Sequence, residues 1–293
     1  MPPAHRPLLG IGLMLLAVLC FAALDATSKT LSQTFAIPML VWARYLVHFV
    51  LMMVFLAPSM RLRLVATRRP ALQVWRALML VGTTGFMMAA FRTMPLAEAT
   101  SIMFVTPLAV ALAAGPLLGE RPGPLRWTAV IAGFCGVLLV ARPGGAMSAA
   151  GIGWSLAAAA CYTIYQVQTR MLSPSEDTWT MLFYTALVGT VSMTLGLPLF
   201  WSGEIPSPLQ ALMIASLGIY GGTGHFLLIR AFRHAPASTL SPFLYAQLVW
   251  ATLFGIVFYH HTPDHLSILG MAIVAGSSIA MAALEHGRKQ ARA

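Results

Sequence analysis

Ala90-Phe91-Arg92-Thr93-Met94-Pro95 returns as Ala231-Phe232-Arg233-His234-Ala235-Pro236, shifted by 141 positions. The same shift carries Gly10-Ile11-Gly12 onto Gly151-Ile152-Gly153 without a gap. It also pairs Cys20 with Cys161, Phe21 with Tyr162 and Lys29 with Arg170. One register held over most of a chain is not what chance apolar composition produces. It describes two homologous halves, 8–142 and 149–284.

Composition sets the class of both halves. Of 293 residues, 58% are hydrophobic and 9% charged, with a mean hydropathy of +0.79. Soluble domains carry about 25% charged residues, so this chain cannot cover a surface against water. Apolar runs of about 20 residues, the length that crosses a hydrocarbon core, recur from end to end. Pattern and punctuation predict ten spans: 8–30, 38–57, 73–93, 96–118, 124–142, 150–171, 179–201, 209–231, 236–258 and 265–284. The fold class expected is an all-α integral membrane protein. The run at 8–26 has the look of a signal peptide, but its repeat partner at 150–171 lies mid-chain, so it counts as the first span.

The net charge of +10 does not point to nucleic acid, because the basic residues sit in short connections. Arg6, Arg61, Arg63, Arg68, Arg69 and Arg76 fall on one side of the predicted spans, with Arg121, Arg126, Arg170, Arg230 and Arg233 and the C-terminal Arg288, Lys289 and Arg292. Only Lys29, Arg92 and Arg142 fall on the other. The positive-inside rule then puts both termini in the cytoplasm of a cell, in its inner membrane. Five spans per half is an odd number, so the second half inserts upside down. Such inverted repeats enclose one midplane site in many secondary transporters. Cys20, Cys135 and Cys161 lie in apolar segments and offer neither a disulfide framework nor metal-ligand spacing.

Ten spans as five plus five, Trp42-Ala43-Arg44-Tyr45 in span 2, Gly119-Glu120-Arg121 between spans 4 and 5, and small residues from Ala129 to Gly136 together resemble the drug/metabolite transporter (DMT) superfamily, EamA type. Within it the chain resembles, more loosely, the YddG-like amino-acid exporters. The resemblance covers essentially the whole chain. It implies export of small metabolites such as amino acids, through a cavity built from spans 1, 3, 4, 6, 8 and 9.

Intramembrane polar residues are costly and mark functional positions. Tyr162, Tyr165, Gln166 and Thr169 share one face of span 6, and their repeat partners are Phe21, Leu24, Asp25 and Ser28. A stripe at the same place in both halves fits a shared cavity; interhelical hydrogen bonding is the other reading. Asp25 and Lys29 are one turn apart and predict an ion pair at the outer interface, unless Asp25 faces the cavity to bind an amine or carry a proton. Arg44 lies well inside an apolar run, opposite Thr185 in the repeat. It either holds a carboxylate or satisfies carbonyls between helices, and the resemblance implies a peripheral span for it. Glu98, near Arg92, is favourable at a helix N-terminus without any transport role, with gating or proton linkage as the alternative.

His48 and His225 read as packed, hydrogen-bonded histidines, His225 having the better claim to the cavity because Gly218, Gly221 and Gly222 share its helix. Those glycines admit a close neighbour or a bend during gating. In span 9, Ser238, Ser241, Pro242, Tyr245, Val249 and Thr252 make one face, beside Gln247 and Trp250. Thr100, Ser101 and Phe104, followed by Pro107, answer them in span 4. The two prolines free backbone carbonyls that only a protected or cavity-lining position tolerates. His260, His261, Asp264 and His265 cluster in one outer loop with no second ligand group, so no metal is expected there.

No Gly-rich loop ending in Gly-Lys-Ser/Thr, no GxSxG and no HExxH occurs in the sequence. The expectation is therefore a carrier that moves aromatic or apolar amino acids, needs no cofactor, has the lipid bilayer as its surroundings and can act as a monomer. Nucleobase-like metabolites or drugs are the alternative cargo, and an intramembrane enzyme is the rival class.

Overall fold

The computed structural model describes residues 7–106, 108–110, 113, 124–141, 147–172, 175–200, 203–234, 240 and 243–290. Ten helices account for most of them: α1 (Pro7–Ser32), α2 (Ile37–Phe55), α3 (Pro70–Thr93), α4 (Leu96–Met103), α5 (Pro124–Ala141), α6 (Ala149–Leu172), α7 (Thr178–Phe200), α8 (Pro208–His234), α9 (Ala246–Tyr259) and α10 (His265–Gln290). Short turns at Ala57–Met60 and Arg61–Leu64 join α2 to α3. Helix starts follow their residues. Proline opens α3 and α8, where its missing N–H costs nothing. Ser207 and Gln210 cap α8 reciprocally: the Gln210 amide donates to Ser207 Oγ (3.3 Å) and the Ser207 amide to Gln210 Oε1 (2.9 Å). Near its end α4 tightens. Phe104 and Val105 donate to Ser101 and Ile102, three residues back.

Five helices among the described residues are long and apolar enough to cross a membrane. The outer surface is apolar from helix to helix, with Phe55 72%, Leu195 77% and Val249 67% exposed. That is a surface for hydrocarbon, not water.

The packing shows the duplication. The two most extensive contacts join α1 to α8 and α3 to α6, and the 141-residue shift exchanges them. The same exchange relates α2–α8 to α3–α7. Phe104 and Tyr245, repeat partners of each other, touch with ring centroids 4.9 Å apart, so they straddle the axis relating the halves. The helices of one half therefore pack largely against the other half. At α5–α10 the backbones meet directly. A Cβ at Gly136 would lie 2.8 Å from the Gly270 carbonyl oxygen, and one at Gly270 2.6 Å from that of Gly136.

Candidate functional site

A cavity of about 210 Å³ lies between α1, α2, α3, α4, α6, α8 and α9. Rings of Phe21, Phe91, Phe104, Tyr162 and His225 form much of its wall, and His225 meets Phe21 edge-on at 5.1 Å. Between the rings stand polar groups of both signs. Asp25 Oδ2 accepts from Gln247 Nε2 at 2.9 Å. Arg44 Nη1 donates to Thr84 Oγ1 at 2.9 Å, and Thr84 also meets the Tyr45 hydroxyl at 3.0 Å. Gln166 lines the same space. A fixed guanidinium and a fixed carboxylate, each held by one amide or hydroxyl and otherwise facing a small aromatic chamber, can take the two ends of a zwitterion.

Several expectations need correction. Asp25 and Lys29 do not pair. Lys29 Nζ donates instead to the carbonyls of Phe91 (2.7 Å) and Met94 (2.8 Å) at the end of α3. Unpaired carbonyls and the negative end of the helix dipole draw it there. Arg44 is not peripheral: it lines the cavity, because α8 approaches α2 closely at glycines. A Cβ at Gly218 would lie 2.4 Å from Val47, and one at Gly221 3.4 Å from Arg44 Nε. Gly222 faces His48 instead. His48 is buried beside it, with no hydrogen-bond partner among the described residues.

The expected stripe on α6 splits. Tyr162 and Gln166 face the cavity, while Tyr165 and Thr169 turn towards Arg76 on α3. Tyr165 stacks behind Tyr162 at 5.5 Å. Tyr245 likewise stands behind Phe104, and Trp250 packs beside Phe254 at 6.3 Å. These three are outside the cavity wall. Pro107, Pro242, Ser238 and Ser241 lie outside the described residues.

Glu98 is 1% exposed, and its partner is His261, not Arg92: His261 Nε2 lies 2.9 Å from Glu98 Oε1. His260 adopts a left-handed conformation (φ 51°), and the His261 amide donates back to Gly255. That turn closes α9 and swings the His261 ring over α4. At this same end Tyr259 donates to the Ala26 carbonyl (2.5 Å) and its hydroxyl lies 2.7 Å from Thr30 Oγ1. The Lys29 ammonium sits over its ring, 5.4 Å from the centroid. The α1–α2 end of the cavity is thus bridged between the halves by Tyr259 and by the His261–Glu98 pair. Asp264 caps α10 through the Ser267 amide (2.8 Å), and among the described residues no cluster of His, Cys, Asp and Glu could hold a metal.

Arg76 was not expected inside. Read from sequence as an inner segment end, it is 1% exposed. Its Nη2 donates to Thr185 Oγ1 (2.9 Å) and to the Met181 carbonyl, and its guanidinium lies over the Tyr165 ring at 5.1 Å. The available signal was its position: one turn inside span 3, with Leu72 and Val74 before it and Ala77-Leu78 after it.

Comparison with known proteins agrees with this architecture. The model of the EamA-like transporter family matches residues 8–142 and 149–283. A riboflavin transporter of Rhizobium johnstonii is 24% identical over 94% of this chain and 91% of its own. An S-adenosylmethionine uptake transporter of Rickettsia bellii is 24% identical over 92% of each chain. The pseudopaline exporter CntI of Pseudomonas aeruginosa is 27% identical over 68% of this chain and 70% of its own. One crystal structure, 21% identical, aligns with 91% of this chain and 96% of that one at a TM-score of 0.61, which shows a shared fold. The chain belongs to the EamA-like transporter family: it is a multi-pass membrane transporter of ten helices in two five-helix repeats, and it moves a small molecule.

Proposed function

We propose that this transporter exports small zwitterions, aromatic or apolar amino acids first, by alternating access around the central cavity. The observation that carries the reading is the pairing of Arg44 and Asp25 in one aromatic chamber. Arg44 takes the carboxylate, Asp25 and Gln247 take the ammonium group, and the rings of Phe21, Phe104 and Tyr162 take the side chain. At about 210 Å³ the chamber is smaller than the roughly 300–1,000 Å³ of sites that enclose drug-sized ligands. That size favours an amino acid over a flavin in this conformation. S-adenosylmethionine, the cargo named for one relative, itself ends in an α-amino acid.

The protein lies in the cytoplasmic membrane with both termini inside, as the arginine distribution directs. The bridged α1–α2 end is then the outer one. Units 8–142 and 149–284 rock against each other to open it, and the cycle needs Lys29, Tyr259 and the His261–Glu98 pair to let go.

Counterflow into proteoliposomes, with matched pH and no voltage, tests the reading. The labelled panel holds amino acids, a nucleobase, riboflavin and S-adenosylmethionine. Saturable exchange of phenylalanine, tyrosine or leucine is expected. Exchange confined to the nucleobase or riboflavin, with the protein folded, would overturn the zwitterion assignment.

A further inference from the structure

A second concavity opens on the outside of the bundle, between α2, α7 and α8. At about 530 Å³ it is larger than the central cavity. Its walls are Met52, Leu182, Ile219 and Phe226, and its floor is Gly222 against His48. Water is poorly held by such walls, and no side chain among the described residues fills the space. The groove faces the hydrocarbon, because its flanking residues Phe55 and Ile219 are 72% and 45% exposed on membrane-spanning helices.

One end of the groove is polar. There the Trp179 ring packs on Phe226 at 5.8 Å, and the Arg230 guanidinium lies 6.0 Å from the centre of the same Phe226 ring. Arg230 stands in the last turns of α8, directly after the apolar run Leu227-Leu228-Ile229. Among the described residues no carboxylate pairs with it. The connection carrying Arg63 is tied to this rim, since Thr180 donates to the Arg63 carbonyl at 3.1 Å. Along α8, Ile219 to Arg230 spans about 16 Å at the helical rise. That is the hydrocarbon depth of one leaflet, half of roughly 30 Å.

We propose that this groove binds an anionic phospholipid of the cytoplasmic leaflet, its phosphate on Arg230 beside Trp179 and one acyl chain laid over Gly222 towards Ile219. A basic residue at the mouth of an interhelical groove recognises the headgroup, and the depth accommodates the chain. The site shares a wall with the transport cavity: Gly221 backs onto Arg44 where Gly222 backs onto His48. An occupied groove therefore supports the α2–α8 contact from the lipid side. The choice of leaflet rests on the orientation proposed above.

Native mass spectrometry of the purified full chain, released from nanodiscs of phosphatidylcholine with or without phosphatidylglycerol, tests the site. Wild type is expected to retain phosphatidylglycerol at least fivefold over phosphatidylcholine. Arg230→Ala abolishes that preference, and Thr223→Phe, which fills the groove, lowers retention of both lipids. Counterflow of Arg230→Ala in vesicles lacking anionic lipid stays at the wild-type level. Equal retention of the two lipids by wild type, an unchanged preference in Arg230→Ala, or a dimer that excludes lipid would overturn the proposal. Because lipid retention is read without cargo, absence of counterflow in every protein would overturn the transport reading alone.

Discussion

Arg44 and Arg76 occupy mirrored interfaces, α2–α8 and α3–α7, and the repeat exchanges them: Thr185 is the partner position of Arg44, and Leu217 that of Arg76. The backbone arrangement is shared; the chemistry is opposite. Across α2–α8 glycines bring the helices together, and Arg44 reaches into the cavity with a hydrogen bond to Thr84. Across α3–α7 Arg76 is enclosed, joined to Thr185 and to the Met181 carbonyl, with Tyr165 beneath it. A duplicated scaffold thus leaves one arginine facing the cavity and encloses the other. The partner positions carry Thr185 and buried Leu217, so neither charge is repeated in the other half.

Exchanging Arg76 for leucine, the residue of its partner position, should have the largest effect. Buried acceptors lose their donor and a void opens, at a cost on the order of 3 kcal/mol. Thermal unfolding in detergent should show a lowered Tm and a poor yield of folded protein. Arg44→Ala should leave Tm near wild type yet cut amino-acid counterflow at least tenfold, about 1.4 kcal/mol of binding. If the two variants lose stability equally, the contrast between clamp and site is wrong. Asp25→Asn keeps the shape and a hydrogen bond to Gln247. It should raise KM several-fold for amino acids while leaving their deaminated acids unaffected, and equal losses for both cargoes would remove the ammonium role. Tyr259→Phe should act least. It keeps the ring beneath Lys29 and loses contacts averaging about 0.6 kcal/mol in membrane proteins. In a cysteine-free background carrying Ser28→Cys, labelling by an impermeant maleimide from outside should speed up a few-fold; an unchanged rate would mean that this closure lies elsewhere.

The repeat and the ten spans were legible because apolar period and register are local properties summed over long stretches. Five of the expected cavity residues (Asp25, Phe104, Tyr162, Gln166 and His225) were legible as polar or aromatic interruptions on helix faces. What was not legible depends on partners far away in the chain. Arg76 meets Thr185 across 109 residues and Glu98 meets His261 across 163, and no spacing rule reaches that distance. Lys29 was misread for the opposite reason: Asp25 was near in sequence, while the α3 carbonyls were better oriented. Tyr165 and Thr169 show the limit of face arguments, since a helix enclosed on several sides serves different neighbours with adjacent residues.

The exchange of neighbours between halves also orders events during synthesis. Lys29 can find the α3 carbonyls, and Arg44 can find Thr84, while only the first half has been made. Arg76 cannot find Thr185 until another 109 residues have been added. At about 5–20 residues per second that wait lasts roughly 5–20 s. A charged side chain near a helix end, as Arg76 is, costs less than the roughly 2.5–3.5 kcal/mol that insertion scales give at the helix centre. For that interval the nascent first half carries an unpartnered guanidinium at the bilayer, a mark by which a membrane insertase or a quality-control protease can tell an unfinished chain from a finished one.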